Sequence, residues 1–271
     1  MKINRICISI NNRCNLACNY CHFHEKGQIE SADMNIYEIL DNVKSYADEP
    51  FKIGFVGNGE CFLDWQELKS YISYIEDSPY ISVYTITNGT INLSDEDWLF
   101  LEKHAVNVGF SIDGYKELHD INRCNSFDTA IETVMTYKRV TGHYPTFNAT
   151  VGKISLDNVQ RVIDFFKPFG TRVTFSRMIG KDGITLNQYH EFLSAAEKQI
   201  PVRRGGNDCT MYGGLCGAGI NNYFFANGNV YYCGNCIDLP SIASSGVSFM
   251  ELEKLTLSFD RTNCYKESIC V

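Results

Sequence analysis

Two adjoining pieces of sequence decide how the rest is read: Arg5-Ile6-Cys7-Ile8-Ser9-Ile10, and then Cys14-Asn15-Leu16-Ala17-Cys18-Asn19-Tyr20-Cys21. The first is an apolar run that reads as a strand. The second has the spacing C-x3-C-x2-C and follows the strand directly. Three thiolates on one short loop can hold three irons of a cubic 4Fe–4S cluster. The fourth iron is then left without a protein ligand, open to chelation by a small molecule. Zinc is the alternative for the same thiols. Structural zinc takes four N or S ligands, and His22 and His24 are close enough to supply a fourth.

Composition narrows the choice. The chain has 271 residues, 44% of them hydrophobic, which suits one large domain or a large domain with a small appendage. Residues 1–12 contain neither a long apolar core nor a small-residue cleavage site, so no secretory signal is read there. Twelve cysteines without such a signal point to metal in a reducing cytoplasm, not to disulfides. No stretch approaches the ~20 apolar residues needed to span a membrane. A formal charge of −8 offers no broad basic surface for nucleic acid.

Along the chain, short β-rich runs alternate with amphipathic ones. Strands are read at residues 5–10, 52–56, 82–87, 107–112, 146–151 and 172–175. Helices are read at 35–46, 65–75, 95–104 (behind Ser94 as N-cap), 127–140 and 158–166. Repeats of strand and helix imply parallel strands joined by right-handed crossovers. Six units fit an α/β fold of the partial (β/α)6 barrel kind. Barrel chemistry sits at the C-terminal ends of the strands, so the strand ends are where function is sought.

After the second strand comes Gly57-Asn58-Gly59-Glu60, then Cys61. Glycines admit a close backbone approach, and a carboxylate accepts from an ammonium group. The third strand ends in Thr87-Asn88-Gly89, and the fourth in Ser111-Ile112-Asp113-Gly114, followed by His119-Asp120 and Arg123. Together with the cysteine motif, this set resembles the radical S-adenosylmethionine (SAM) superfamily. In that family SAM chelates the open iron and is cleaved to methionine and a 5′-deoxyadenosyl radical. The resemblance assigns Cys14, Cys18 and Cys21 to the cluster. Gly59 and Glu60 match the family's Gly-Gly-Glu-Pro motif, which contacts the SAM amino group; Asn58 and Cys61 depart from it. Asn88 lies beside SAM, and Tyr20 takes the aromatic position that packs on adenine. Ser111 and Asp113 can bind the ribose or the methionine end. Arg123 can pair with the SAM carboxylate, the alternative being a surface ion pair. Cys124 stands where the family commonly has glycine.

From Ile200 onward the texture changes to Gly, Asn, aromatic residues and six cysteines. Asn227-Gly228 between two β-rich runs is a strong hairpin signal. The pattern from Cys216 through Gly228 to Cys233 resembles the SPASM/twitch appendage of the same superfamily. The resemblance implies a barrel over 1–187 and a twitch-like appendage over 188–271 with one auxiliary 4Fe–4S cluster. Cys216 and Cys233 are its expected ligands, with Cys209 and Cys236 completing the set and Cys264 or Cys270 as replacements. A thiol left outside both clusters could return a hydrogen atom to a substrate radical. Cys264, Cys270 and Cys61 are the candidates, while Cys7 is read as core.

The expected function is radical modification of a peptide by epimerisation, thioether formation or C–C crosslinking, with an electron donor such as flavodoxin or ferredoxin. The first strand begins at residue 5, which leaves no space before it for the leader-recognition domain of many peptide maturases. That observation keeps oxidation or epimerisation of a small molecule, such as a carbohydrate alcohol, as a second expectation. A non-catalytic iron–sulfur or metal-binding module is a third.

Overall fold

The computed structural model describes residues 3–21, 23, 33–203, 209–212 and 214–269. Strands β1 (Arg5–Ile8), β2 (Phe51–Phe55), β3 (Ile81–Thr87), β4 (Asn107–Ser111), β5 (Thr146–Val151) and β6 (Val173–Arg177) lie side by side in chain order, each parallel to the next. β1 does not pair with β6, so the barrel stays open. On its other edge β1 pairs in parallel with β7 (Asn222–Ala226). β7 is followed by antiparallel β8 (Asn229–Tyr231) and β9 (Ala243–Ser244), giving one nine-stranded sheet. The cysteine-rich appendage is thus a continuation of the barrel sheet. The hairpin turn between β7 and β8 has φ of 54° at Asn227 and 70° at Gly228. Two positive φ values define the type I′ turn that Asn-Gly favours.

Among the described residues the α-helices are α1 (Ile36–Tyr46), α2 (Trp65–Tyr74), α3 (Asp95–Lys103), α4 (Lys116–Asn122), α5 (Phe127–Thr141), α6 (Lys153–Asp157), α7 (Val159–Phe166), α8 (Leu186–Ala196), α9 (Phe249–Leu252) and α10 (Tyr265–Ile269). Caps fix several starts: the Asn35 side chain accepts from Glu38 N–H, and Ser94 from Asp97 N–H. α8 begins with a reciprocal pair, Thr185 and Gln188. It runs straight through residues 187–188, where the resemblance puts the join between barrel and appendage. No described helix is long and apolar enough to cross a membrane.

One face of the sheet packs on the helices. Ile6, Ile8, Ile53, Phe55, Phe110, Phe147 and Phe175 form a continuous core with Leu40, Leu68, Trp98, Val134 and Phe166. Full burial of each such side chain contributes about 1.5–3 kcal/mol. Strand alternation sends the intervening residues to the concave inner face. On β1 these are Arg5 and Cys7. The short turn Thr210–Tyr212 packs against β6 on the open side of the barrel, so the appendage reaches inward there.

Candidate functional site

The cysteine loop leaves the C-terminal end of β1. Cys14, Cys18 and Cys21 are all half-buried. Cys21 N–H donates to Cys18 O at 3.0 Å, and Asn19 N–H donates to Asn122 O at 3.0 Å, tying the loop to α4. Asn88, at the end of β3, donates from Nδ2 to Asn15 Oδ1 at 2.9 Å and lies 3.9 Å from Cys14 Sγ. The Cys18 thiol is pushed up to about 11, first by burial and further by Asp113, Cys14 and Cys21, against the pull of Arg123. An all-sulfur donor set on one loop fits an iron–sulfur cluster. His22 and His24, the extra ligands that zinc would draw on, lie outside the described residues.

The β2 end is stitched to this loop by its backbone. Glu60 N–H donates to Arg13 O at 2.8 Å, and Asn11 Nδ2 donates to Glu60 O at 3.1 Å. A Cβ at Gly59 would collide with Asn11 Oδ1 and Arg13 O, so only glycine permits the approach. The Glu60 carboxylate is buried and already engaged: it accepts from Phe62 N–H at 3.1 Å and Asn88 N–H at 2.6 Å. Burial raises its pKa, and those bonds oppose the rise. Beside it, a small cleft opens between the ends of β1 and β2, lined by Ser9, Asn11, Gly57 and Gly59 among others.

Asp113, just past β4, is the hub of the opposite side. Its carboxylate accepts from Tyr20 Oη at 3.0 Å, Asn122 Nδ2 at 3.0 Å and Thr150 N–H at 2.9 Å. Arg123 Nε is 3.2 Å from Asp113 Oδ2, and the guanidinium lies 5.4 Å from the centre of the Tyr20 ring. The ion pair considered for Arg123 therefore exists, but in the interior. Burial opposes the guanidinium charge, yet Asp113, Tyr20 and Cys18 raise the Arg123 pKa overall. Among the described residues no hydrogen bond takes up its Nη nitrogens. Ser111, buried at the end of β4, completes this side. Cys124 has φ 57°, which explains the preference for glycine there, and its Sγ donates to Ala17 O at 2.9 Å.

The second cysteine group gathers around the β7–β8 hairpin. Cys236 N–H donates to Cys233 O at 2.9 Å, closing the C-x2-C turn. Cys216 is held by a reciprocal pair with Arg261: Cys216 N–H to Arg261 O at 2.8 Å, and Arg261 Nε to Cys216 O at 2.7 Å. The Cys209 thiol is pushed up to about 12 by burial, with Cys233, Cys216 and Cys264 adding to it. Burial likewise raises Cys264, with Cys233 contributing. Cys61 is buried with Sγ 3.0 Å from Thr85 Oγ1. Cys270 lies outside the described residues. Sequence reading missed Asn122 and Thr150 as partners of Asp113. It also missed the inner-face position of Cys7, although an arginine two residues earlier on the same strand face is a signal that the face is not core.

Residues 8–196 match the family model of the Radical SAM superfamily, and the chain belongs to that superfamily. Its defining chemistry is that of SAM bound at an iron–sulfur cluster. Among curated proteins, it is 34% identical over 132 residues to the cysteine-type anaerobic sulfatase-maturating enzyme of Clostridium perfringens (strain 13 / Type A), an alignment covering 43% of this chain and 35% of that enzyme. The enzyme of the same name from Clostridium novyi (strain NT) is 26% identical over 171 residues, covering 57% and 45%. The chain thus spans less than half the length of these relatives. Among solved structures, native anSMEcpe with bound AdoMet superposes with a TM-score of 0.73 at 20% identity, over 93% of this chain and 80% of that one. Streptococcus suis SuiB gives 0.74 at 14% identity, over 93% and 65%. Both are likenesses of fold, and both extend across the barrel and the appendage.

Proposed function

We propose that this chain is a peptide-modifying radical SAM enzyme of the SPASM/twitch branch. The observation that carries the proposal is the pairing of a three-thiol loop with an arginine edge that no hydrogen bond takes up among the described residues. When bound, SAM supplies a 5′-deoxyadenosyl radical on one-electron reduction. Cys14, Cys18 and Cys21 hold the cluster. Arg123 receives the SAM carboxylate on its Nη edge. Tyr20, fixed by its bond to Asp113, supports the adenine, and Ser111 and Asp113 meet the sugar or methionine end. Gly59 lets the β2 turn come close enough for backbone contact with the amino group. Glu60 and Asn88 hold that turn against the cysteine loop. Cys209, Cys216, Cys233 and Cys236, with Cys264 as a further ligand candidate, hold one auxiliary 4Fe–4S cluster in the appendage that follows α8. Flavodoxin or ferredoxin in the cytoplasm serves as electron donor.

A peptide substrate is supported by two relatives: sulfatase-maturating enzymes, and SuiB, which was solved bound to the precursor peptide SuiA. The test is anaerobic reconstitution with iron, sulfide, SAM and reductant, and then incubation in deuterated buffer with short peptides encoded beside this gene. Mass spectrometry should find 5′-deoxyadenosine and a changed peptide mass. Turnover of a carbohydrate alcohol with every peptide left untouched would replace the peptide reading.

A further inference from the structure

The turn after β2 departs from the family's Gly-Gly-Glu-Pro at Asn58, and the function proposed above gives that side chain nothing to do. The structure places it in a row of three asparagines. Asn58 Nδ2 donates to Asn12 Oδ1 at 3.3 Å, and Asn12 Nδ2 donates to Asn227 Oδ1 at 2.5 Å. Asn12 lies between β1 and Cys14, and Asn227 at the tip of the β7–β8 hairpin. Asn58 and Asn12 are both buried. A buried amide that loses a partner carries the cost of its desolvation, so each amide is held to its bonds. Among the described residues no hydrogen bond joins Asn58 to Asn227 directly. Asn12 is the link between them.

A second rung runs beside the first. Ser9 N–H donates to Phe225 O on β7 at 2.9 Å, while Ser9 Oγ accepts from Asn58 N–H at 3.0 Å and donates to Asn11 O at 2.9 Å. A Cβ at Gly57 would lie 2.3 Å from Ser9 Oγ, so glycine there lets the turn close on the serine. Asn11 carries the connection onward. Its Oδ1 accepts from Arg13 N–H at 2.9 Å and its Nδ2 donates to Glu60 O at 3.1 Å, so one side chain fixes the residue before Cys14 and the residue after Gly59. The hairpin itself does not require the amide of Asn227. Its backbone has φ of 54°, and glycine at that position makes the same turn. The side-chain oxygen aimed at Asn12 is therefore surplus to the turn and serves the contact.

We propose that Asn58, Asn12 and Asn227 are positioning residues, a relay through which the hairpin of the appendage sets the placement of the cysteine loop and of the turn at residues 57–60 around SAM. The proposal rests on the SAM-binding reading given above. The hairpin tip grips the root of the cysteine loop, and β8 leads from that tip to Cys233 in the second cysteine group. An amide bonded through both its oxygen and its nitrogen, as Asn12 is, has one orientation and passes a displacement at one end to the other. The link is reciprocal. A docked hairpin favours SAM binding, and bound SAM favours the docked hairpin. Asn58, which reads as a departure from the family pattern, is the side chain that brings the β2 turn into this link.

The experiment measures SAM affinity of the anaerobically reconstituted protein by equilibrium dialysis without reductant, and hydrogen exchange of residues 57–60 by mass spectrometry without SAM. Asn227→Gly keeps the turn and removes only the amide; Asn58→Ala removes the other end. Each should weaken SAM binding roughly three- to tenfold, the loss of one hydrogen bond, at unchanged iron content. The double variant should bind no worse than the weaker single one, because either change breaks the same relay. Asn227→Asp keeps the acceptor oxygen and should restore wild-type affinity. Asn229→Ala removes a bond within the same hairpin, from Asn229 Nδ2 to Asn227 O at 2.8 Å, and leaves the relay in place. It should bind SAM as wild type does. Exchange at residues 57–60 should be faster in Asn227→Gly than in wild type. Wild-type affinity or wild-type exchange in Asn227→Gly, losses that multiply in the double variant, an Asn227→Asp no better than Asn227→Gly, or equal weakening by Asn229→Ala would each overturn the proposal. Failure of wild type to bind SAM would instead overturn the SAM reading, and the exchange measurement would still decide the relay.

Discussion

Two groups of thiols are built in opposite ways. Cys14, Cys18 and Cys21 fall within eight consecutive residues on one loop, whereas the second group is collected from Cys209 to Cys264 by a hairpin, a tight turn and an arginine-held segment. The first needs little fold to bring its sulfurs together. The second exists only once β7 has docked on β1 and β8 has folded back on β7. Closing long loops costs chain entropy, and metal binding contributes that much more to the folding of whatever it ties together. Metal at the second group should therefore be a structural tie for the appendage. Metal at the first should be chiefly chemical.

The largest expected effect breaks that comparison open. Cys233→Ala should lose about four irons, one cube's worth, and should make the segment from Cys209 to Cys264 sensitive to protease. The triple variant Cys14→Ala, Cys18→Ala, Cys21→Ala should lose about as much iron while the same segment stays resistant. Equal proteolysis of the two would refute the distinction.

Next in size is Arg123→Ala. It leaves the Asp113 carboxylate buried beside a missing cation, and breaking a buried pair costs about 3–5 kcal/mol. The bonds from Tyr20, Asn122 and Thr150 place the expectation at the low end. Denaturant titration gives that loss, and SAM affinity should fall with it. Arg123→Lys should recover stability better than affinity, because an ammonium lacks the planar edge that meets a carboxylate.

His119, on α4, sharpens the picture by pH. Its Nδ1 accepts from Asp113 N–H at 3.4 Å, its Nε2 is 3.0 Å from Ser126 Oγ, and burial brings its pKa down to about 4. The neutral ring is the folded form, so its contribution is complete above the unfolded value of about 6.5 and is lost as pH falls toward 4. That window corresponds to about 3 kcal/mol at ~1.36 kcal/mol per unit. Wild type should therefore lose more stability than His119→Gln between neutral pH and pH 4.5, as read from denaturant midpoints. Parallel pH curves would show that His119 titrates as an ordinary surface ring.

The smallest effect lies at the hairpin. Gly228→Ala puts a Cβ at a residue with φ 70°, at a cost of about 1–2 kcal/mol for left-handed backbone. The second cluster should loosen slightly while the first is untouched, measured as the rate of iron loss to a chelator.

The same contrast explains what could be read in advance. The cysteine loop, the six parallel strands and the Asn227-Gly228 hairpin rest on local patterns, and the fold has all of them. α4 escaped notice because it is only seven residues long and buries His119 and Asn122 beside Leu118, so it has no apolar stripe. α8 carries a readable start at Thr185 and Gln188, but the sequence reading assigns no helix between the sixth strand and the change of texture at Ile200. The pairing of β7 with β1 joins residues far apart in sequence, and the engagement of Arg123 by Asp113 depends on how α4 folds back on the end of β4. No local pattern encodes them. Cys7 was assigned to the core because its neighbours are isoleucines. The face it shares with Arg5 follows from the register with Gly54 and Tyr84.

The central claim is that the three-thiol loop is the seat of SAM chemistry. It is tested most directly by measuring 5′-deoxyadenosine formed from SAM under reduction, by the anaerobically reconstituted protein and by its Cys14→Ala, Cys18→Ala, Cys21→Ala variant. Wild type should form 5′-deoxyadenosine and methionine in equal amounts, and the variant none, while the variant keeps the iron of its second cluster. A wild-type protein that carries zinc in place of iron and leaves SAM intact, or a variant that cleaves SAM as wild type does, would contradict the account.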